Sequence, residues 1–313
     1  MDRLSPALAA ALALVGGGCF VDPGVISTGG SQGSTSDAST TTGAATTSTS
    51  STTGGESSSS GAASATTGGA IGDPVAFRIR TMVGVDPHYY GELMMGQCAD
   101  LTDLFNLGID GELSGGDVSY VMIFYPADPK AAETPLQLIR AQCNGALDTC
   151  SASPDDLGLM TVARNSQGAL CSTVVVGTLN SAYSGDGAPN LPGAPCFISD
   201  EGDAAVPIAD TLPAIALERL SLAATYVQQG EDVVGLVKGS LRGYLRESSA
   251  AAVDGEVAGV SFNLWGSIAG GGSCQLDPMS PIDDTDPNPD PRSDEAGVWV
   301  YFNFEADLVE WLE

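Results

Sequence analysis

The sequence predicts a mostly β fold: an antiparallel β-sandwich-like domain with few short helices, preceded by a disordered linker. Three observations predict it. Residues 71–313 carry apolar side chains at alternate positions in several separate runs, the period of a strand with one buried face. Gly, Pro and Asp gather between those runs, as they do in the turns that join antiparallel strands. Residues 27–70 hold almost nothing but Ser, Thr, Gly and Ala, with no base and no aromatic ring, so that stretch cannot bury a core and stays disordered.

Taken in order, "VAFRIRTMV" (75–83) sets Phe77 and Ile79 against Arg78 and Arg80, a half-buried strand. A short helix is expected over 98–107 (CADLTDLFNL). "DVSYVMIFYP" (117–126) is β-branched and aromatic and reads as a buried strand, and 135–142, 170–179, 212–227 and 297–306 follow. The long 212–227 run is expected to bend or break near Glu218-Arg219. In "GLVKGSLRGYLRE" (235–247) the apolar positions fit either period. Gly239 and Gly243 each disfavour a helix by about 1 kcal/mol, which turns the reading to strand. A second short helix is expected at 247–253.

The N-terminal region reads differently. Met1-Asp2-Arg3 is a short head with one base, Ala7–Val15 is an apolar run, and Gly16-Gly17-Gly18 leads to Cys19. That is the layout of a secretory signal, too short to span a bilayer. No other apolar stretch is long and uninterrupted enough to cross one. The expected organisation is a signal peptide over 1–18, a tether over 19–70 and a disulfide-bonded β-rich domain over 71–313. Treated as a Gly/Ser-type coil, the tether has an r.m.s. span of about 35–40 Å. Gly29-Gly30-Ser31-Gln32-Gly33 matches the G-x-S-x-G nucleophile pattern, but that motif needs a strand before it and a helix after it. The linker offers neither.

Seven cysteines are present; beyond Cys19 they are Cys98, Cys143, Cys150, Cys171, Cys196 and Cys274. Six in an extracytoplasmic domain imply disulfides. The turn-rich "CNGALDTC" makes Cys143–Cys150 the first expected pair, with Cys171–Cys196 and Cys98–Cys274 after it. No C-x-x-C pair occurs and His88 is the single histidine, which argues against zinc. The formal net charge is −28, and a field of that sign repels nucleic acid and anionic lipid head groups, leaving neither as a partner.

Candidate sites are few. In "DDTDPNPDPRSDE" (283–295), Asp284, Asp286, Asn288, Asp290 and Glu295 fall in an EF-hand register, the oxygen-rich spacing that calcium needs. Pro289 stands where the loop needs Gly, so an extended, solvated acidic loop competes with a calcium site. Tyr89 and Tyr90, in the turn "DPHYYGE", are candidates for stacking on a sugar face, as is Trp265. Trp299 reads as packed or cross-strand paired, and Trp311 as an anchor for the C-terminal region. His88 reads as a surface or packing residue. A hydrolase would have to use it or a pair of carboxylates, and no catalytic constellation stands out.

With Cys19 directly after small residues, the first nineteen residues resemble the lipobox of bacterial lipoproteins. Gly16 stands where that family prefers Leu. The resemblance implies that Cys19 is the acylated mature N-terminus, and Phe20, in place of Asp, points to the outer membrane. The whole layout resembles surface lipoproteins of myxobacterial-type bacteria. The expected function is therefore a lipid-anchored cell-surface binding or adhesion protein for a glycan or protein ligand. A carboxylate-based secreted hydrolase and a purely structural surface protein are the alternatives.

Overall fold

The computed structural model describes residues 72–93, 97–116, 119–153, 158–179, 187–206, 214–257, 260–268 and 295–312. The signal segment, Cys19, the tether and most of the 283–295 loop lie outside them. Contacts group the described residues within one compact unit, Gly69–Glu313.

Eight strands form its frame: β1 (Val75–Asp86), β4 (Tyr120–Phe124), β5 (Glu133–Cys143), β7 (Leu159–Ser166), β8 (Cys196–Ser199), β10 (Ile215–Gln229), β11 (Asp232–Arg246) and β14 (Gly297–Leu312). In that order each pairs antiparallel with the next. The last then pairs with the first, from Ala76↔Val309 to Asp86↔Tyr301. The sheet is therefore a closed barrel and not a sandwich. Alternation along a strand is the same in both architectures; what separates them is whether the outermost strands meet, and here they do.

Within the barrel, Phe77 and Ile79 of β1, Phe302, Phe304 and Ala306 of β14, and Leu222, Ala224 and Tyr226 of β10 join one large apolar core. Phe124 is fully buried at its centre, edge-on to Phe77, Phe197 and Tyr226 at 5.7, 5.1 and 6.0 Å between ring centroids. Charged side chains such as Arg80, Glu305 and Asp307 stay substantially exposed and pair with one another. This apolar-in, charged-out alternation is the reverse of a membrane-spanning barrel. No helix among the described residues is long and apolar enough to cross a membrane.

The remaining elements cover the barrel. A hairpin of β2 (Tyr90–Leu93) and β3 (Gln97–Asp100) precedes α1 (Thr102–Gly115). The helix thus starts later than expected, and Cys98–Asp100 are strand. The Asp100 carboxylate accepts the Thr102 N–H at 2.9 Å and marks the start; Gly116 ends the helix in the left-handed conformation, φ 79°. Phe105, Ile109 and Leu113 recur every four residues and enter the core. Asn106 exchanges two hydrogen bonds with the Gly84 main chain, and Arg78 donates to the Leu113 carbonyl, so α1 runs antiparallel to β1. Strand β6 (Thr149–Ala152) folds back antiparallel on the end of β5 and lies parallel to the end of β14, and β9 (Gly202–Val206) pairs with β10. Helix α2 (Glu247–Ala251), the hairpin of β12 (Asp254–Val257) and β13 (Val260–Asn263), and α3 (Leu264–Ile268) fill the segment between β11 and β14.

Residues 170–179 are not the expected strand. Together with 187–195 they form a strap over the outside of the barrel. Cys171 is bridged to Cys196, Thr173 Oγ1 lies 2.8 Å from Ser240 Oγ, and the Val175 N–H donates to Tyr301 Oη at 3.1 Å. Asn190 and Asn303 add reciprocal side-chain bonds to the main chain. The β-branched residues of this stretch serve burial against another surface, and side chains satisfy backbone groups that a neighbouring strand would otherwise pair. Arg219 takes φ 52° where the β10–β11 register shifts, at the bend expected in that run. Gly239 lies opposite Phe304, and a Cβ there would sit 2.4 Å from the ring. The glycine makes room for the aromatic face.

Cys143–Cys150 and Cys171–Cys196 are bridged across sequence separations of 7 and 25. Cys98 is also disulfide-bonded, and its partner lies outside the described residues. Loop-closure entropy predicts a loss of about 2.5 kcal/mol when the first bridge is replaced by paired alanines and about 3.5 kcal/mol for the second. Urea unfolding of the two double variants checks that order. Replacing Phe124 with Ala should cost about 3–5 kcal/mol, read by the same method.

Candidate functional site

The barrel interior is filled by side chains. Its cavity measures roughly 20 Å³ and is lined by apolar groups such as Met82, Leu217, Leu241 and Phe302. That is space for about one water, and the larger recess among the described residues lies at the surface.

One end of the barrel provides a groove. The β11–β14 ladder stops at Gly235↔Asp307, yet β14 continues to Leu312. Beyond that point β14 stays paired on its other side, with β1 through Leu308 and Val309 and with β6 through Glu310–Leu312. Strand β11 meanwhile follows β10 to the hairpin tip at Gly230–Glu231. The two strands part, and a groove of roughly 710 Å³ opens between Glu231–Val234 and Leu308–Trp311, with Pro74–Ala76 and Ala127 completing its walls. Val233 is buried at its base, while Leu308 and Leu312 are 47% and 50% exposed. Glu231, Asp232 and Glu310 are exposed, and Lys130 Nζ reaches Glu231 at 3.5 Å.

Backbone direction along β14 follows from one contact. The Glu310 N–H donates to the Asp148 carbonyl at 2.8 Å, toward β6. Successive residues of a strand direct their main-chain groups to opposite edges. Val309 and Trp311 therefore direct N–H and C=O into the groove. Trp311 also packs against the small outer core of Val121, Ile123, Ile139 and Val309, so it is the anchor expected of it and a groove wall as well.

The tyrosines expected to stack on a ligand are buried instead. Tyr89 and Tyr90 are 4% and 3% exposed. The Tyr89 ring lies parallel to Phe105 at 4.3 Å, 5° between planes, and burial pushes its phenol far above the ordinary range. The turn carrying them is tucked against α1, so two adjacent aromatics there became core. Trp265 is partly buried against the same core. His88 is a packing residue: its Nδ1 lies 2.6 Å from Asp100 Oδ2, while Asp100 Oδ1 accepts from Thr102 Oγ1 at 2.6 Å and Thr102 Oγ1 accepts the Tyr89 N–H at 2.9 Å. The network clamps the β2–β3 hairpin to the start of α1. Trp299 pairs with Tyr244 across β11–β14, with the Arg219 and Arg242 guanidiniums 5.0 and 5.1 Å from its ring centroid. Glu201 joins both arginines.

Of the expected calcium loop, Asp284, Asp286, Asn288 and Asp290 lie outside the described residues. Glu295 is engaged elsewhere: its Oε1 accepts the Ser248 N–H in α2 at 2.6 Å, and its Oε2 lies 4.0 Å from Arg246. No group of three or more acidic, Cys or His side chains among the described residues is arranged to hold a metal. The groove residues were not singled out from the sequence. Their signal is the run "LVEWL" (308–312), which carries apolar side chains past the expected end of the last strand.

Hydrogen bonds from Ser248, side chain first and main-chain N–H second, hold the Glu295 carboxyl below its ordinary value of 4.5, with Arg246 assisting. A depressed pKa contributes stability above the unfolded value that is lost as pH falls through the folded one. Glu295→Gln should therefore melt below wild type at neutral pH, with the gap closing as pH drops below about 4.5. Melting curves of both proteins between acid and neutral pH check this.

Compared with known proteins, the chain matches no family model, no curated protein and no solved structure.

Proposed function

We propose that this protein is a cell-surface binding or adhesion domain, anchored by lipid on Cys19 and held off the membrane by its Ser/Thr/Gly tether. It engages its partner at the groove between the hairpin tip and the end of β14. The observation that carries this reading is the contrast between a barrel interior with a cavity of only roughly 20 Å³ and a rim groove of roughly 710 Å³. The groove falls in the size range of ligand sites, and exposed Leu308 and Leu312 stand beside it. A hydrolase would have to use His88 or a pair of carboxylates; His88 is buried and held by Asp100 in the network that clamps a hairpin to a helix.

The intact protein, screened against glycan and peptide arrays, should retain a ligand that Leu308→Lys releases while the melting temperature holds. Retention unchanged in that variant, or turnover of esterase, protease or glycosidase substrates lost on His88→Ala, overturns the reading. The anchor is tested separately: a fatty-acid probe fed to producing cells should label wild type and leave Cys19→Ser unlabelled.

A further inference from the structure

Resting on the reading of the groove as the contact surface, we propose that its ligand is an extended polypeptide segment rich in Lys or Arg, which adds to the sheet along the edge of β14 that no described strand pairs with. Three observations carry this. The first is the edge itself. Val309 and Trp311 present two N–H donors and two C=O acceptors to the groove, the set that an added strand pairs with through its own main chain.

The second is charge. Glu231, Asp232 and Glu310 surround the opening, and among the described residues Lys130 is the base paired there. The carboxylates lie on both sides of the groove, one group on the hairpin tip and one on β14. In an extended segment side chains alternate, so one set of the ligand's residues lies over the face of β14 that carries Leu308 and Glu310 and meets the carboxylate there, while the other lies over the apolar face of Val309 and Trp311. The long-range field of a chain with net charge −28 favours cationic segments further.

The third is what the edge disfavours. A second copy pairing antiparallel about residue 310 would set Glu310 against Glu310, and like charges directly opposite are destabilising. Two domains of the same strong negative charge also repel.

The test uses the intact protein and short fluorescent peptides: one alternating Val with Lys, one alternating Val with Glu, and a Val/Lys peptide N-methylated on alternate amides. Anisotropy should favour the Val/Lys peptide over Val/Glu by at least about tenfold, with affinity falling as salt rises. N-methylation should abolish binding, and Glu231→Gln/Asp232→Asn/Glu310→Gln should weaken it roughly tenfold. Amide exchange at Val309 and Trp311 should slow on binding. Equal binding of the N-methylated peptide, equal binding by the triple variant, or protection elsewhere overturns strand addition. A glycan that binds and is released by Leu308→Lys overturns this inference while leaving the groove as the contact surface. Concentration-dependent dimerisation abolished by Leu308→Lys would make the occupant a second copy and overturn it as well.

Discussion

The ladder between β1 and β14 is the constraint on which the rest of the structure depends. It joins the first and last of the described strands and closes a twisted sheet into a ring, leaving an edge unpaired by any described strand where β14 runs on past β11. Once the ring is closed, inward and outward positions are set for every strand at once. Phe77, Phe124, Phe197 and Tyr226, from four different strands, can then meet edge to edge in a single core. Strand β14 is the pivot, since it pairs with β1 on one side and β11 on the other.

Unequal strand lengths shape what surrounds the ring. β10, β11 and β14 run 15, 15 and 16 residues, while β4 and β8 have 5 and 4. Long strands overshoot short ones, and each overshoot exposes apolar surface that must be covered. Strand β6 and Trp311 cover the outer faces of Ala76, Val121 and Ile139. The strap brings Val174 and Val175 over Tyr244, Trp299 and Tyr301. Where β11 and β14 part, the described residues bring no such cover, and the groove is the result. Charged groups follow the same geometry. Arg219, Arg242 and Glu201 gather over Trp299, where the strands carry them together, so scarce bases are used to order an outer face of an acid-rich chain.

Much of the strand content was legible because one-sided burial prints itself as alternation. β1, β5, β10, β11 and β14 carry it, β4 shows instead as an unbroken apolar run buried on both faces, and the bend near Glu218-Arg219 falls where the ladder shifts register. Closure was not legible, because nothing in β1 or β14 separately says that they face each other. The 170–179 stretch misled for a related reason: β-branched residues suit any buried extended chain, including one whose hydrogen bonds go to side chains such as Tyr301 and to a disulfide-linked turn. β7 and β8 are short or weakly alternating, with Met160 62% exposed. At the level of the site, Tyr89 and Tyr90 looked accessible because they sit in a Pro-containing turn, and only the position of α1 buries them. The groove depends on where one ladder stops relative to another, a relation between distant strands that no local pattern records.

The same closure sets the order in which the fold can be completed. The strand that seals the ring is the last of the described strands, and its partners include the first of them. Contacts of such long sequence separation make folding slow, because loop entropy is lost before they form. Until Gly297–Leu312 are in place, β1 and β11 each have an unpaired edge of the kind that recruits other chains. A chain lacking β14 would be an open sheet with two such edges and not a smaller barrel.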